Sequence, residues 1–311
     1  MVRSVMICGA GGFLGTSFSQ QFIESGINVV LAGHNLKHYP LASSVSVEEG
    51  DFLDLCFCRG VVSKHLPSHI IFTASPSSVD ASFKNKEHDF QSAVTPLYRL
   101  LTAVAEMPAP SKFLLTSSAA VYGEPAQLPV CENDPISPIS PYGFHKWHQE
   151  LILKQFHELH GVPTLSARIF STFGVGLRRL AVWDIAKRAI QGDYTVFGNK
   201  DDSRDYLPIS DLARAIQVLC ERGSFDGEAI NVASGIETRI GTLAQIIHAE
   251  LGVVGVARSS GERAQGVPSR WCASIEKLQE LNFHPAYRMQ DVVVETVRWI
   301  QSEMGSIICS E

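Results

Sequence analysis

A tyrosine and a lysine four residues apart, in Tyr142-Gly143-Phe144-His145-Lys146, follow a serine pair, Ser117-Ser118, that closes a short apolar run. Positions four apart share one helical face, so this spacing can bring the Lys146 ammonium beside the Tyr142 phenol. A lone Tyr-x-x-x-Lys is a common surface pair; after a hydroxyl at a strand end in a dinucleotide-binding fold it becomes specific. Such a fold is signalled at the N-terminus, where Gly9-Ala10-Gly11-Gly12-Phe13-Leu14-Gly15 follows an apolar run and opens a helical pattern. A turn this tight needs glycines. It lets a diphosphate reach backbone N–H groups at the positive end of a helix dipole. A glycine triplet alone marks an ordinary turn as readily, but its place in the first strand–helix unit points to a dinucleotide.

The carboxylate that in many such folds holds the adenosine ribose is absent from Leu31-Ala32-Gly33-His34-Asn35-Leu36-Lys37. His34 near Lys37 suits a 2′-phosphate, or is a solvated turn, so NAD and NADP both stay open, with NAD the first choice. Asp51, in Gly50-Asp51-Phe52, either accepts from the adenine amino group or caps the next helix, a place that Asp54 fits better. Phe52 and Ala74, beside the ends of the third and fourth strands, are expected on the same cofactor wall.

The elements that must position these residues alternate. Strand-like runs at 5–8, 29–32, 46–49, 70–74, 113–117 and 163–169 are separated by helical patterns at 13–25, 54–65, 89–105 and 142–159. That order predicts an α/β fold, a doubly wound parallel sheet of the Rossmann type. After Arg168 the alternation weakens, with helices expected at 180–191 and 210–222 and from Gly241, Ser274 and Met289. The expected division is a dinucleotide-binding domain over 1–170 and a smaller mixed α/β lobe over 171–311, with segments such as 229–232 returning to the main sheet. The Pro-rich stretch 125–141 reads as a long loop at the ligand-facing rim.

Composition narrows the function. A 311-residue chain that is 45% hydrophobic can bury a large core, and a formal charge of -6 offers no broad basic face for nucleic acid or anionic lipid. No apolar run approaches the roughly 18 residues of a membrane span. Seven cysteines without Cys-x-x-Cys spacing, and no signal-peptide pattern, point to a reducing cytoplasm and to no metal site.

Taken together, residues 9–15, Gly50-Asp51, residues 117–123, Tyr142 to Lys146, Arg168-Ile169-Phe170, Phe197-Gly198-Asn199, Arg204-Asp205-Tyr206 and Asp211 strongly resemble the extended short-chain dehydrogenase/reductases, specifically the NAD-dependent epimerase/dehydratase family. The resemblance spans nearly the whole chain. It implies that Tyr142 is the general acid/base, its pKa lowered by Lys146 and a positive nicotinamide, that Lys146 also holds the nicotinamide ribose, and that Ser118 binds the substrate oxygen. It further implies a nucleoside-diphosphate sugar as substrate, with Phe197 against the base, Arg204 on phosphate oxygens and Arg263 as a second anchor lacking its usual acidic partner. A homodimer built on helices 89–105 and 142–159 is expected.

Departures from the family pattern bear on the reaction. Ala119 and Ala120 stand where dehydratases carry an Asp-Glu pair, which disfavours a 4,6-dehydratase. Ser171 and Ser92 stand where epimerases commonly carry asparagines, shortening side chains near the sugar. His145 and Trp147 are read as packing or rim residues. The leading expectation is C4 epimerisation of a nucleotide sugar. The alternatives are an NADPH-dependent 4-ketoreductase and a non-catalytic dinucleotide-sensing protein.

Overall fold

The computed structural model describes residues 2–36, 43–253, 258–261 and 263–308. Seven strands form one parallel sheet in the order β3-β2-β1-β4-β5-β6-β10. They are β1 (Ser4–Cys8), β2 (Asn28–Gly33), β3 (Val45–Glu49), β4 (His69–Phe72), β5 (Lys112–Ser118), β6 (Thr164–Ile169) and β10 (Asp226–Val232). The order reverses between β1 and β4, which opens a crevice beyond their carboxyl ends. In register, Cys8 lies between Ala32 and Phe72, so the chain leaves all three strands at one level there. The central strands are buried on both faces, as helix-covered parallel strands must be.

Helices α1 (Phe13–Glu24), α2 (Leu55–His65), α3 (Val79–Lys84), α4 (Lys86–Ala105), α5 (Pro141–His160) and α7 (Ile209–Arg222) flank this sheet or its rim. Their ends follow local chemistry. Asp54 caps α2 by accepting from Cys56 N, Ser140 caps α5 by accepting from Gly143 N ahead of Pro141, and Gly161 closes α5 at φ 65°. α4 starts three residues before the expected Asp89 because Asn85 is its cap. The expected fourth strand stops at Phe72, since Thr73 turns back to hydrogen-bond Cys8 O. β10 pairs with β6, carrying residues 226–232 back into the main sheet.

The remaining elements are β7 (Ser171–Phe173), α6 (Leu180–Ile190), β8 (Thr195–Val196), β9 (Ser203–Pro208), β11 (Glu237–Arg239), α8 (Ile240–Glu250), β12 (Arg258–Ser259), α9 (Glu276–Glu280) and α10 (Met289–Ile308). β11, β9 and β7 form a three-stranded sheet, and β12 pairs with β8. Helices α6, α8 and α10 enclose their own apolar cluster around Ile185, Leu243 and Val293. Among the described residues no helix is long and apolar enough to cross a membrane.

Candidate active site

The turn after β1 leaves no room for side chains. Gly9 has φ +84°, and a Cβ on Gly15 would lie 2.2 Å from Gly9 O. Gly12 is the N-cap of α1 and lends no side-chain cap, so first-turn N–H groups stay available for an anion. Phe13, Leu14 and Gly15 then line a cavity of about 350 Å³ that also holds Ser118, Tyr142 and Lys146. On the other side of the turn, Gly9, Gly12, His34, Asp51, Phe52 and Ala74 line a second cavity of about 480 Å³. The sequence-predicted cofactor residues are thus brought to two adjoining pockets. Lys37 lies outside the described residues.

At the adenosine end, β2 delivers Gly33 and His34 without a carboxylate, but β3 delivers Asp51 to the same rim, its Oδ1 4.0 Å from His34 Nε2. Asp51 also accepts from Leu53 N at 2.8 Å while Asp54 caps α2, so Asp51 orders a turn and still faces the pocket. A carboxylate here opposes a 2′-phosphate.

The reaction centre is built by β5 and the first turns of α5. Successive strand residues point to opposite faces. Ser117 accordingly turns inward to donate to Glu150 Oε1 at 2.5 Å, while Ser118, whose hydroxyl accepts from Ala120 N at 3.2 Å, lines the cavity together with Tyr142. Lys146 is buried, donating to Thr116 O at 2.9 Å and Ser75 Oγ at 3.2 Å, with Nζ 5.9 Å from the centre of the Tyr142 ring. Burial pushes the Lys146 ammonium down to about 8, against the opposing pull of Asp89 and Glu150. Burial raises the pKa of the Tyr142 phenol, and the Ser118 hydroxyl and the Arg179 charge offset that only in part.

A buried framework fixes the two elements. Arg168 on β6 pairs with Glu150 on α5 at 2.8 Å and donates to Tyr122 Oη at 2.9 Å; Tyr122 in turn donates to Asn231 on β10 at 2.7 Å. The motif residues Ser117, Tyr122 and Arg168 thus hold β5, α5, β6 and β10 together, and of the three Ser117 also lines the reaction cavity.

Ser171 and Arg204 line both the reaction cavity and a third cavity of about 540 Å³, which continues the cleft. Arg204 is buried, stacks its guanidinium 5.5 Å from Trp271, and donates to the carbonyls of Ser203, Pro268 and Ser269. Two other expected substrate residues stand apart from these three cavities. Phe197 lines none of these cavities: it is 52% exposed, with Arg188 over its ring at 5.9 Å. Arg263 lines none either, because Asp202 holds its guanidinium at 2.6 and 2.8 Å.

Sequence reasoning missed Ser75, Thr116, Asp89 and Arg179. Arg179 lines both the first and third cavities and reaches Ser77 O at 2.8 Å and Ser77 Oγ at 2.6 Å. Asp89 carried a readable signal, an acidic residue heading the buried stripe Ala93, Leu97, Leu101 at spacing four. His145, read as packing or rim, is buried and bonded to that Asp89 at 2.5 Å.

A glycine-turn dinucleotide site joined through one cleft to a Ser–Tyr–Lys centre defines an oxidoreductive enzyme of the extended short-chain dehydrogenase type. The model of the NAD dependent epimerase/dehydratase family matches residues 5–233, and the chain belongs to that family, with NAD as its cofactor. The chain is 26% identical over 308 residues to a putative UDP-glucose 4-epimerase of Methanocaldococcus jannaschii, covering 96% of this chain and 98% of the relative. It is 26% identical to the UDP-glucose 4-epimerase of Halalkalibacterium halodurans, covering 94% and 93%. Its fold matches that of a Thermotoga maritima UDP-glucose 4-epimerase solved with UDP-glucose, at a TM-score of 0.86 and 23% identity over 97% of this chain and 99% of the other. A Bacillus cereus UDP-glucuronic acid 4-epimerase solved with UDP-glucuronic acid and NAD has a TM-score of 0.86 at 22% identity over 96% and 99%.

Proposed function

We propose that this enzyme epimerises a nucleoside-diphosphate sugar at C4. The observation that carries the reading is the cleft in which Ser118, Tyr142 and Lys146 share a cavity with the first turn of α1 and continue, past Ser171 and Arg204, into a further cavity roomy enough for a nucleotide. Bound NAD supplies a hydride acceptor that returns the hydride in the same turnover. Tyr142 takes the proton of the C4 hydroxyl and later gives it back, Ser118 hydrogen-bonds the same oxygen, and Lys146 holds positive charge beneath the phenol. Ala119 and Ala120 are buried and apolar, so the wall beside Ser118 offers no acid–base pair for eliminating water. Arg204 keeps N–H groups for a diphosphate oxygen beyond those engaged by carbonyls.

The same reading places residues 1–170 as the dinucleotide half and 171–311 as the sugar-nucleotide half, with β10 serving the former sheet. It makes the enzyme a cytoplasmic homodimer joined through α4 and α5; free thiols at Cys8, Cys58 and Cys220, packed in the core, suit that compartment. The missing carboxylate at the end of β2 favours a second reading, an NADPH-dependent 4-ketoreductase, whereas Asp51 on the rim weighs against it. The test is to denature the purified protein and identify any released dinucleotide by mass spectrometry. Retained NAD supports the epimerase, because an epimerase regenerates its cofactor in place. An empty protein that binds NADPH more tightly than NADH overturns it.

A further inference from the structure

Ser75 stands in the loop after β4 and, with Gly12 and Thr73, lines both the reaction cavity and the second cavity on the adenosine side. A serine hydroxyl has one hydrogen to give and two lone pairs to offer. Here all three are engaged. The hydrogen goes to Pro76 O at 3.4 Å, and the oxygen accepts from Lys146 Nζ at 3.2 Å and from Gln149 Nε2 at 3.4 Å. Gln149 is fully buried and is anchored in turn by donating to Ala93 O on α4 at 2.7 Å. The rotor of the Ser75 hydroxyl is therefore set from α4, from α5 and from its own loop.

We propose that Ser75 is a positioning residue for Lys146: with the Thr116 carbonyl, its hydroxyl takes two of the three ammonium N–H bonds and so aims the third into the reaction cavity. An ammonium is tetrahedral and carries three donors on a flexible four-carbon stem. One donor goes to Thr116 O on β5 at 2.9 Å and one to Ser75 Oγ at 3.2 Å. These two directions and the bond to the stem fix the fourth. Lys146 is 4% exposed and lines the cavity that holds Ser118 and Tyr142, which is where that fourth direction is left to act. A single anchor would let the ammonium turn about its own hydrogen bond; two anchors on separate elements stop that rotation. The Thr116 anchor is a backbone carbonyl, which any residue supplies, so Ser75 is the anchor that depends on a side chain.

The inference rests on Lys146 working in the proposed reaction centre, and its first test needs neither substrate nor turnover. Cyanate carbamoylates free amines, so labelling of Lys146 reports how firmly the ammonium is held. It is read by peptide mass spectrometry at one fixed pH, on protein of matched dinucleotide content, against the exposed Lys84 and Lys154 as internal standards. An ammonium that loses an acceptor gives up its proton more readily. Ser75→Ala exchanges one neutral side chain for another and leaves the nearby Glu150–Arg168 pair as it was. It is expected to raise labelling about tenfold, the scale of one hydrogen bond from a charged donor. Ser75→Thr keeps the hydroxyl and labels as wild type. Ser78→Ala removes the cap of α3, which loosens the same loop without touching Lys146, and also labels as wild type. In turnover, Ser75→Ala lowers kcat by a similar factor with KM for the sugar nucleotide unchanged, and Ser75→Thr restores it. Unchanged labelling in Ser75→Ala overturns the proposal. So does Ser75→Thr or Ser78→Ala labelling as Ser75→Ala does, which would mark Ser75 as loop packing alone. Raised labelling with kcat unmoved overturns it too, since the third N–H would then direct nothing. If Ser75→Thr does not fold, Ser75→Ala against Ser78→Ala decides the question. Failure of the epimerase reading would show separately, as wild-type protein that labels as expected but turns over no sugar nucleotide.

Discussion

In the proposed reaction a phenol exchanges a proton beside an ammonium that stays charged, which confines turnover to a limited pH window whose upper edge burial sets. Lys146 carries its charge below about 8 and loses it above, well short of the usual 10.5, so turnover is expected to fall as pH rises through 8. A flat profile from pH 7 to 9.5 would show that the ammonium is dispensable. Tyr142→Phe removes the exchanging proton and is expected to lower kcat by about 10²–10⁴-fold while leaving NAD content unchanged. Steady-state kinetics beside the released-dinucleotide assay separates this loss from a folding defect. Ser118, Tyr142 and Lys146 were legible in the sequence because a strand end and a four-residue helical spacing fix where they point. Phe197 and Arg263 were not, because Asp202 captures one side chain and the end of β8 turns the other toward solvent, choices made by tertiary neighbours. Thr116 and Ser75 were hidden for a different reason: a backbone carbonyl and a lone hydroxyl carry no pattern.

At the scale of elements, the site depends on how closely α5 enters beneath the loop after β5. A Cβ on Gly143 would stand 2.5 Å from Ala120 O and 3.1 Å from Pro138 Cβ, so Gly143→Ala must push the first turn of α5 outward, carrying Tyr142 with it. A displacement of about 1 Å costs roughly 10²-fold in rate. The expected result is a large fall in kcat with a modest fall in Tm; unchanged kcat would mean that the loop yields instead. Deeper in the same helix, Glu150→Ala leaves the Arg168 guanidinium buried and unpaired and is expected to destabilise the fold by about 3–5 kcal/mol, measured by urea unfolding. The central sheet and the long helices could be read from alternation, caps and glycine stops. α3 and the short strands β7, β8, β11 and β12 could not, since segments of two to six residues hold too little periodicity to declare themselves.

For the molecule as a whole, the question is what covers the outer face of the α4–α5 layer. Phe90 and Tyr98 on α4 are 42% and 45% exposed, and Phe144 and Leu151 on α5 are 43% and 46% exposed. The two helices pack against each other, so these four side chains stand on a single layer. Two-fold symmetry would place the same four from each protomer against one another. Fully burying a side chain of this kind is worth roughly 1.5–3 kcal/mol, so completing a half-finished burial yields about 1 kcal/mol each, or about 8 kcal/mol per dimer. That total is of the same order as the 4–15 kcal/mol that association costs in lost freedom, with the remaining contacts deciding the balance. A dimer so poised is sensitive to one charge. Wild-type protein at micromolar concentration is expected to sediment at twice the 34.0 kDa chain mass, and Leu151→Lys, which sets two ammoniums at the seam, at the chain mass itself. Leu151 is not among the residues lining the cleft, so the monomer should retain NAD. A wild-type monomer, or a Leu151→Lys dimer, would mean that subunits do not join through this layer.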